Sequence, residues 1–455
     1  MTTITAGRPP IAMLVAAGVV LGIAYTLSPL TVLSLAGLAW VVWWAGQGLS
    51  PRARRYFYVT VSVAVALRLA AIAGLFLFAD PAKPFDTFFG DEELFKSRGL
   101  WLRNIGLGIP LSPADVIYAF DDTGKSGYLF VLAYIQALVG DAPYGVHVFN
   151  ASVYLIGALV MFRWVRPAFG TLAASAGVTV LFFLPSLFVW SISALKEPSY
   201  TLVAVGELLC AMQVARAPKW WLRVLAVVGV IALGWELGSL RKGGQIVAAL
   251  GATTGLAAGL TITRPRLTLA ACVLAPLLAA MVMTRPAVQD RLLGIARDSA
   301  WYHSGHVMTP GYSYKLLAPW LYYDIHAISS LPPAPAAAFV IKAAASYVVE
   351  PLPWKVETRT ILGYLPEHMF WLLLMALVPF GFIAGLRRDA LLTCLLAAHA
   401  FAVMMMVALT SGNVGTLIRH RGLALPYLIW LSALGACRLL AWATPAPRNI
   451  AGGSE

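Results

Sequence analysis

The sequence predicts an all-α fold: a polytopic transmembrane helical bundle of about 12 crossings plus interfacial helices. Three observations predict it. Of the 455 residues 60% are hydrophobic and only 12% charged, with a mean hydropathy of +0.78, well above the roughly 45–50% apolar share of a soluble domain. Apolar runs long enough to cross about 30 Å of hydrocarbon recur along almost the whole chain. Only two long polar stretches interrupt them, near 80–127 and 285–333, so residues 1–455 read as a single transmembrane domain with no room for a separate soluble one.

The expected crossings run near 11–28, 31–48, 58–79, 145–163, 171–190, 198–215, 223–240, 245–262, 268–284, 369–386, 390–410 and 421–441. The first, from Ile11, lacks a small-x-small cleavage site and is followed at once by a second apolar run, so a retained helix is expected rather than a signal peptide. Stretches 128–140 and 334–349 are short or Ala-rich and fit either a crossing or a segment lying at the interface. Positive charge decides between these. With Arg52, Arg54 and Arg55 on the cytoplasmic side, the loop 80–127 is external, and Arg163 and Arg166 are cytoplasmic only if 128–140 does not cross. The same alternation brings Arg216, Lys219 and Arg223, then Arg264 and Arg266, then Arg387 and Arg388, then Arg438 and Arg448 inside, provided 334–349 also stays external. Both termini are then cytoplasmic, and 285–368 is a second external region containing an interfacial helix.

The 33 Lys and Arg against 20 Asp and Glu give a net charge of +13. Cytoplasmic loops account for that excess, and no basic and aromatic groove pattern is present, so nucleic acid is not an expected partner. Cys210, Cys272, Cys394 and Cys437 all lie in apolar runs without metal-type spacing and read as small core residues, not as disulfides or zinc ligands.

Basic residues on the external side have no topological reason to be there. They are Arg98, Arg103, Lys196, Arg241, Lys242, Arg419 and Arg421, with several more in 285–333. Because charge near a membrane segment is costly, such positions are candidates for function. The first external loop reads Lys83-Pro84-Phe85-Asp86-Thr87-Phe88-Phe89-Gly90-Asp91-Glu92-Glu93. Adjacent carboxylates in a partly buried site repel, which lets one keep a raised pKa and act as a general base near neutral pH; a solvated acidic loop is the plain alternative. Lys196-Glu197-Pro198 sets a charged pair between two helices, either functional or a surface ion pair at a helix start. Arg241-Lys242-Gly243-Gly244 combines cations able to grip a phosphate with glycines that let a ligand approach the backbone; anchoring in lipid headgroups is the alternative. Ser411-Gly412-Asn413 through Arg419-His420-Arg421 reads as a tight external turn whose arginines suit an anionic lipid carrier. His303, His306, Asp324 and His326 match no metal template and read as solvated loop residues.

In this order the features resemble the GT-C superfamily of membrane glycosyltransferases, which use polyprenyl-phosphate-linked sugars, and in the carboxyl half uncharacterised polysaccharide-cluster membrane proteins. The resemblance covers roughly residues 58–262. It rests on Asp91-Glu92 after an early helix, on Gly127–Tyr134 followed by Gly140-Asp141-Ala142-Pro143, on His147–Ala151, and on the basic turn Arg163-Trp164-Val165-Arg166-Pro167. It implies that Asp91 is the base that deprotonates an acceptor hydroxyl, with Glu92 assisting, and that the sugar is transferred with inversion. Lys196, Glu197, Arg241, Lys242, Arg419 and Arg421 would then form the lipid-phosphate and substrate contacts. The implied partners are a lipid-linked sugar donor, a glycan, lipid or protein acceptor, and the lipids of a bacterial cytoplasmic membrane; no cofactor is required, although a divalent metal is compatible. Two helices precede the family's usual first one and a large periplasmic domain is absent, which argues against an oligosaccharyltransferase acting on folded proteins. The competing readings are a surface-polysaccharide polymerase or ligase gripping a lipid diphosphate through arginines, and a flippase for lipid-linked glycans. The unexplained charges cluster at one external boundary, Arg68 being the main charge within an expected crossing, and no internal repeat is present, which together weigh against the flippase.

Overall fold

Proline opens many of the helices of this chain, at Pro29, Pro51, Pro113, Pro143, Pro185, Pro265, Pro286 and Pro333, because its missing N–H is among those a helix start leaves unbonded anyway. Ser28, Ser112, Ser126, Asp324, Thr358, Asp389 and Asn413 supply side-chain caps at other starts or alongside those prolines. The computed structural model describes residues 28–78, 91–121, 126–140, 143–309, 312–356 and 358–443, with Val15, Gly18, Val19 and Gly22 of the first apolar run. Most of the crossing expected at 11–28, the loop segment 79–90 with Asp86, and Arg448 lie outside the described residues.

Every regular element among the described residues is helical. In chain order the α-helices are α1 Pro29–Gly46, α2 Pro51–Phe78, α3 Glu92–Gly106, α4 Pro113–Ala119, α5 Gly127–Val139, α6 Pro143–Phe169, α7 Thr171–Phe183, α8 Pro185–Ile192, α9 Glu197–Arg216 and α10 Trp220–Leu240. They continue with α11 Gly244–Ile262, α12 Pro265–Met283, α13 Pro286–Val307, α14 Ile325–Ser329, α15 Pro333–Val349, α16 Arg359–Arg388, α17 Ala390–Thr410, α18 Val414–Arg421 and α19 Leu425–Ala443. Ten of the described helices are long and apolar enough to cross a membrane, or eleven spans if α7 and α8 count as one. That makes the chain a multi-pass helical bundle.

Three expectations change. The single crossing at 171–190 is broken into α7 and α8, bent by 60°, because Pro185 removes a backbone donor and forces Leu184 into an extended conformation (φ −61°, ψ 122°). Among the described residues the two polar stretches are largely helical instead of looped: α3 buries Phe95, Arg98, Gly99 and Leu102 on one face, and α13 buries Ala296, Ser299, Ala300 and His303 at the same spacing. The expected tight turn at 412–421 is helix α18, started by the Asn413 side chain, which accepts from Gly415 N and Thr416 N at 2.9 and 3.3 Å. At about 1.5 Å per residue α5 reaches about 20 Å and α15 about 26 Å, both less than about 30 Å of hydrocarbon.

The chain divides into two compact units, Met1–Leu159 with Val189–Leu202, and Val160–Phe188 with Val203–Glu455. In the first, α3 packs along α5, where Gly99 lets the Leu132 side chain close in. In the second, Gly251, Gly255 and Gly259 recur every fourth residue along α11 and let α17 approach so closely that a Cβ at Gly255 or Gly259 would stand 2.8 Å from a Cα of α17. Gly381 of α16 and Gly435 of α19 make a second such crossing. Side chains join the helix ends of this unit. Arg388 donates to the Phe169 carbonyl and Arg216 pairs with Asp389 at one end, while Arg241 meets His420 and the His306 ring meets the Thr410 carbonyl at the other. Among the cysteines Cys394 is buried and Cys210 and Cys437 are half-buried, but Cys272 is exposed on α12, a helix with no buried residue, so that one is not a core residue.

Candidate active site

In the first unit the polar residues of α6 organise a cluster around Glu92. His147 and Asn150 lie three residues apart on one face of the first turns of α6 and are fully buried. The His147 Nδ1 is 2.9 Å from the Ile192 carbonyl; a carbonyl only accepts, so Nδ1 carries a proton and a neutral ring presents Nε2 as an acceptor. Glu92 Oε1 lies 2.8 Å from that Nε2. The Asn150 amide nitrogen donates to the Ser193 and Leu195 carbonyls at 2.7 and 2.8 Å and sits 2.8 Å from the Tyr128 hydroxyl. Together they hold 192–195, the strand of backbone that delivers Lys196. Its ammonium sits 5.6 Å from the centre of the Phe95 ring, one helical turn beyond Glu92, and Phe95 meets Tyr128 edge to face.

Burial pushes the Glu92 carboxyl up to about 8, with Lys96 and the Ala194 backbone N–H opposing and Glu93 adding a little. Loss of hydration is the main cause, not repulsion among neighbouring acids. Near neutral pH Glu92 is therefore a carboxylic acid lying beside His147, and it is not a base. Asp91 stands exposed immediately before α3, and its carboxylate does not cap the helix. Glu197 opens α9, largely buried. Two of the basic exceptions have local partners: buried Arg98 donates to the Ala119 and Asp121 carbonyls at the end of α4, and Arg103 donates to Asn104 Oδ1. Arg68, buried in α2, donates to Ser191 Oγ at 2.8 Å and stacks over Tyr154.

The second unit holds the other candidates. Gly243 takes a left-handed conformation (φ +85°) that turns the chain between α10 and α11. Arg241 touches His420 of α18, beside half-buried Arg419, with Lys242 exposed next to Arg241. Arg421 is not an open anion contact. It is fully buried, donates through Nε and Nη2 to the Tyr347 and Glu350 carbonyls, and lies over the Tyr347 and Trp371 rings. It closes the carboxyl end of α15, where a helix leaves carbonyls without partners. His303 is not solvated either: it is buried, its Nδ1 donates to the Ser411 carbonyl at 3.1 Å, and burial holds its ring down at about 4. Asp324 caps α14. Among the described residues no three His, Cys, Asp or Glu side chains gather as a metal-binding group.

No known family, curated protein or solved structure matches the chain.

Reading the sequence misses one buried pair altogether. Glu207 of α9 and His399 of α17 meet at 2.7 Å inside membrane-crossing helices, with His399 Nδ1 on the Leu395 carbonyl at 2.8 Å and its ring stacked on Tyr427. The bare Cα of Gly251 makes the space, since a Cβ there would stand 2.4 Å from the His399 ring. The available signal was an acid inside the expected crossing 198–215 and a histidine inside 390–410.

Proposed function

We propose that the chain is a membrane glycosyltransferase that moves a sugar from a polyprenyl-phosphate-linked donor to an acceptor hydroxyl at the membrane surface. The observation that carries this reading is the cluster in the first unit: an exposed acid, Asp91, abuts a buried and protonated one, Glu92, on a helix fixed at its root by His147, with the cation of Lys196 held over Phe95 on the same helix. Asp91 takes the acceptor's proton. The acceptor oxygen then attacks the anomeric carbon from the face opposite the phosphate, the bond from that carbon to the phosphate oxygen breaks, and polyprenyl phosphate leaves with the electron pair. Lys196 neutralises the charge that develops on the departing phosphate. Glu92 stays protonated near neutral pH and acts as a positioning residue, adding no negative charge of its own beside Asp91. Arg241, Lys242 and Arg419 supply a separate basic surface for an anionic lipid headgroup.

The test is sugar transfer by the purified full chain in lipid, comparing native protein with Asp91→Asn and Lys196→Ala. Transfer in the native chain that collapses in Asp91→Asn supports the proposal, and equal turnover in that variant removes Asp91 from the chemistry. The buried Glu207–His399 pair favours a second reading, a flippase for lipid-linked glycans, because ionisable groups inside spanning helices often mark transport paths. Movement of a lipid-linked sugar across protein-containing vesicles without transfer, lost in Glu207→Gln, would select it.

A further inference from the structure

A half-open groove of about 580 Å³ runs along the second unit between α15 and the chain before it. Leu317, Leu331 and Phe339 form its buried floor, Trp320 and Pro335 its rim, and Lys342 is the one charged residue among those lining it. The walls are built rather than loosely draped. The backbone N–H groups of Leu316 and Leu317 both donate to the Tyr322 hydroxyl, at 2.8 and 2.9 Å, and that hydroxyl lies 3.3 Å from His303 Nε2. Arg297 Nε donates to the Leu331 carbonyl at 2.9 Å. Backbone pairing of Ser313 with Asn413 ties the same segment to the start of α18, the helix that carries Arg419 and His420. Exposed Trp320 at the rim and Tyr323 beside it in the chain are of the type that settles at a membrane–water boundary.

A fixed apolar slot with one cation at its edge is complementary to an amphiphile with one chain and one anionic head. Its volume falls within the range of about 300–1,000 Å³ usual for pockets that enclose a small-molecule-sized group. From the groove and its charge we propose that this slot is a second lipid site, apart from the donor site at Lys196, and seats the proximal isoprene units of a polyprenyl phosphate with Lys342 pairing the phosphate. The choice of an isoprenoid chain rests on the transferase reading above; the single anionic head and the apolar tail rest on the groove alone.

Photocrosslinking separates the two. The full chain in phosphatidylcholine nanodiscs is irradiated with a polyprenyl phosphate that carries a diazirine near its head, and the labelled peptides are mapped. Label is expected on peptides containing Leu317, Leu331 or Phe339. Lys342→Glu, which trades one surface attraction for one repulsion, should lower it about tenfold, and Ala338→Trp, which fills the slot from an exposed position, should abolish it. The native chain should be labelled far less by the uncharged polyprenol. Label confined to peptides outside the groove, equal groove label in both variants, or displacement by an equal amount of phosphatidylglycerol would overturn the proposal, the last by making the groove a general site for anionic lipid. Crosslinking that maps to the groove while no sugar is transferred sinks the transferase reading alone. Transfer without groove label sinks this inference alone.

Discussion

Replacing Glu92 by glutamine isolates the chemistry of the candidate site. The native acid has an ordinary value of 4.5 and, through burial, one of about 8 in the folded chain. Between those values the folded protein keeps a proton that the unfolded chain has released, so stability falls as pH rises, by about 1.4 kcal/mol per pH unit. Below the lower value both states are protonated and above the higher both are ionised, so the slope is confined to that window. Across the whole of it the loss is on the order of 5 kcal/mol. Glutamine keeps a donor facing His147 Nε2 and cannot ionise. Glu92→Gln should therefore leave the fold intact and remove this slope: the native chain loses about 4 kcal/mol relative to the variant between roughly pH 5 and pH 8. Reversible unfolding in mixed micelles at several pH values measures it, and infrared difference spectra should show a protonated carboxyl in the native chain that the variant lacks. Parallel stability profiles, together with no such carboxyl band near neutral pH, would refute the assignment of a protonated Glu92.

Three further outcomes follow from the packing. His399→Leu leaves Glu207 buried without its imidazole and should cost about 3–5 kcal/mol, whereas Glu207→Leu combined with His399→Leu should recover most of that loss in the same unfolding assay. Gly255→Ala pushes a methyl against the backbone of α17 and should cost about 1–3 kcal/mol, while Gly37→Ala, with open space around it, should change the unfolding midpoint little. Asn413→Ala removes the cap of α18 and should cost about 0.5–2 kcal/mol, with faster hydrogen exchange at the Gly415 and Thr416 amides as the local readout.

Much of the fold was legible because lipid imposes a length and an apolarity on each crossing, and both are local properties of the chain. The ends of α9, α11, α17 and α19 fall within a few residues of the expected ones, apart from the start of α19, where the basic run 419–421 belongs to α18. Two arginines expected on one side, Arg216 and Arg388, do gather at one end of their unit, with Asp389 and the Phe169 carbonyl between them. What failed was the inference that polar means loop. The faces of α3 and α13 alternate at helical spacing inside polar stretches, and composition averages that spacing away. The anion-binding role expected of Arg421 failed for a different reason. An external arginine can answer either to a ligand or to the unpaired carbonyls at a helix end, and only the path of α15 reveals that its carboxyl end lies beside Arg421.

The least legible feature is also the one that recurs. Glu92–His147 and Glu207–His399 are built alike: in each, Nδ1 faces a backbone carbonyl and Nε2 faces a carboxyl, with the two side chains contributed by different helices. The carbonyl fixes one proton on Nδ1 and leaves Nε2 turned to the carboxyl, so each acid has a polar partner inside the protein. Such pairing lowers the cost of burial in surroundings that would reject either group alone. A sequence displays the acid and the imidazole as two costly charges far apart in the chain, and a count of charges scores both against a buried site. Only their meeting cancels the cost. Where such a pair abuts an exposed acid and a held cation, as at Asp91 and Lys196, residues from four separate stretches of the chain form one polar cluster that the linear sequence does not display as one.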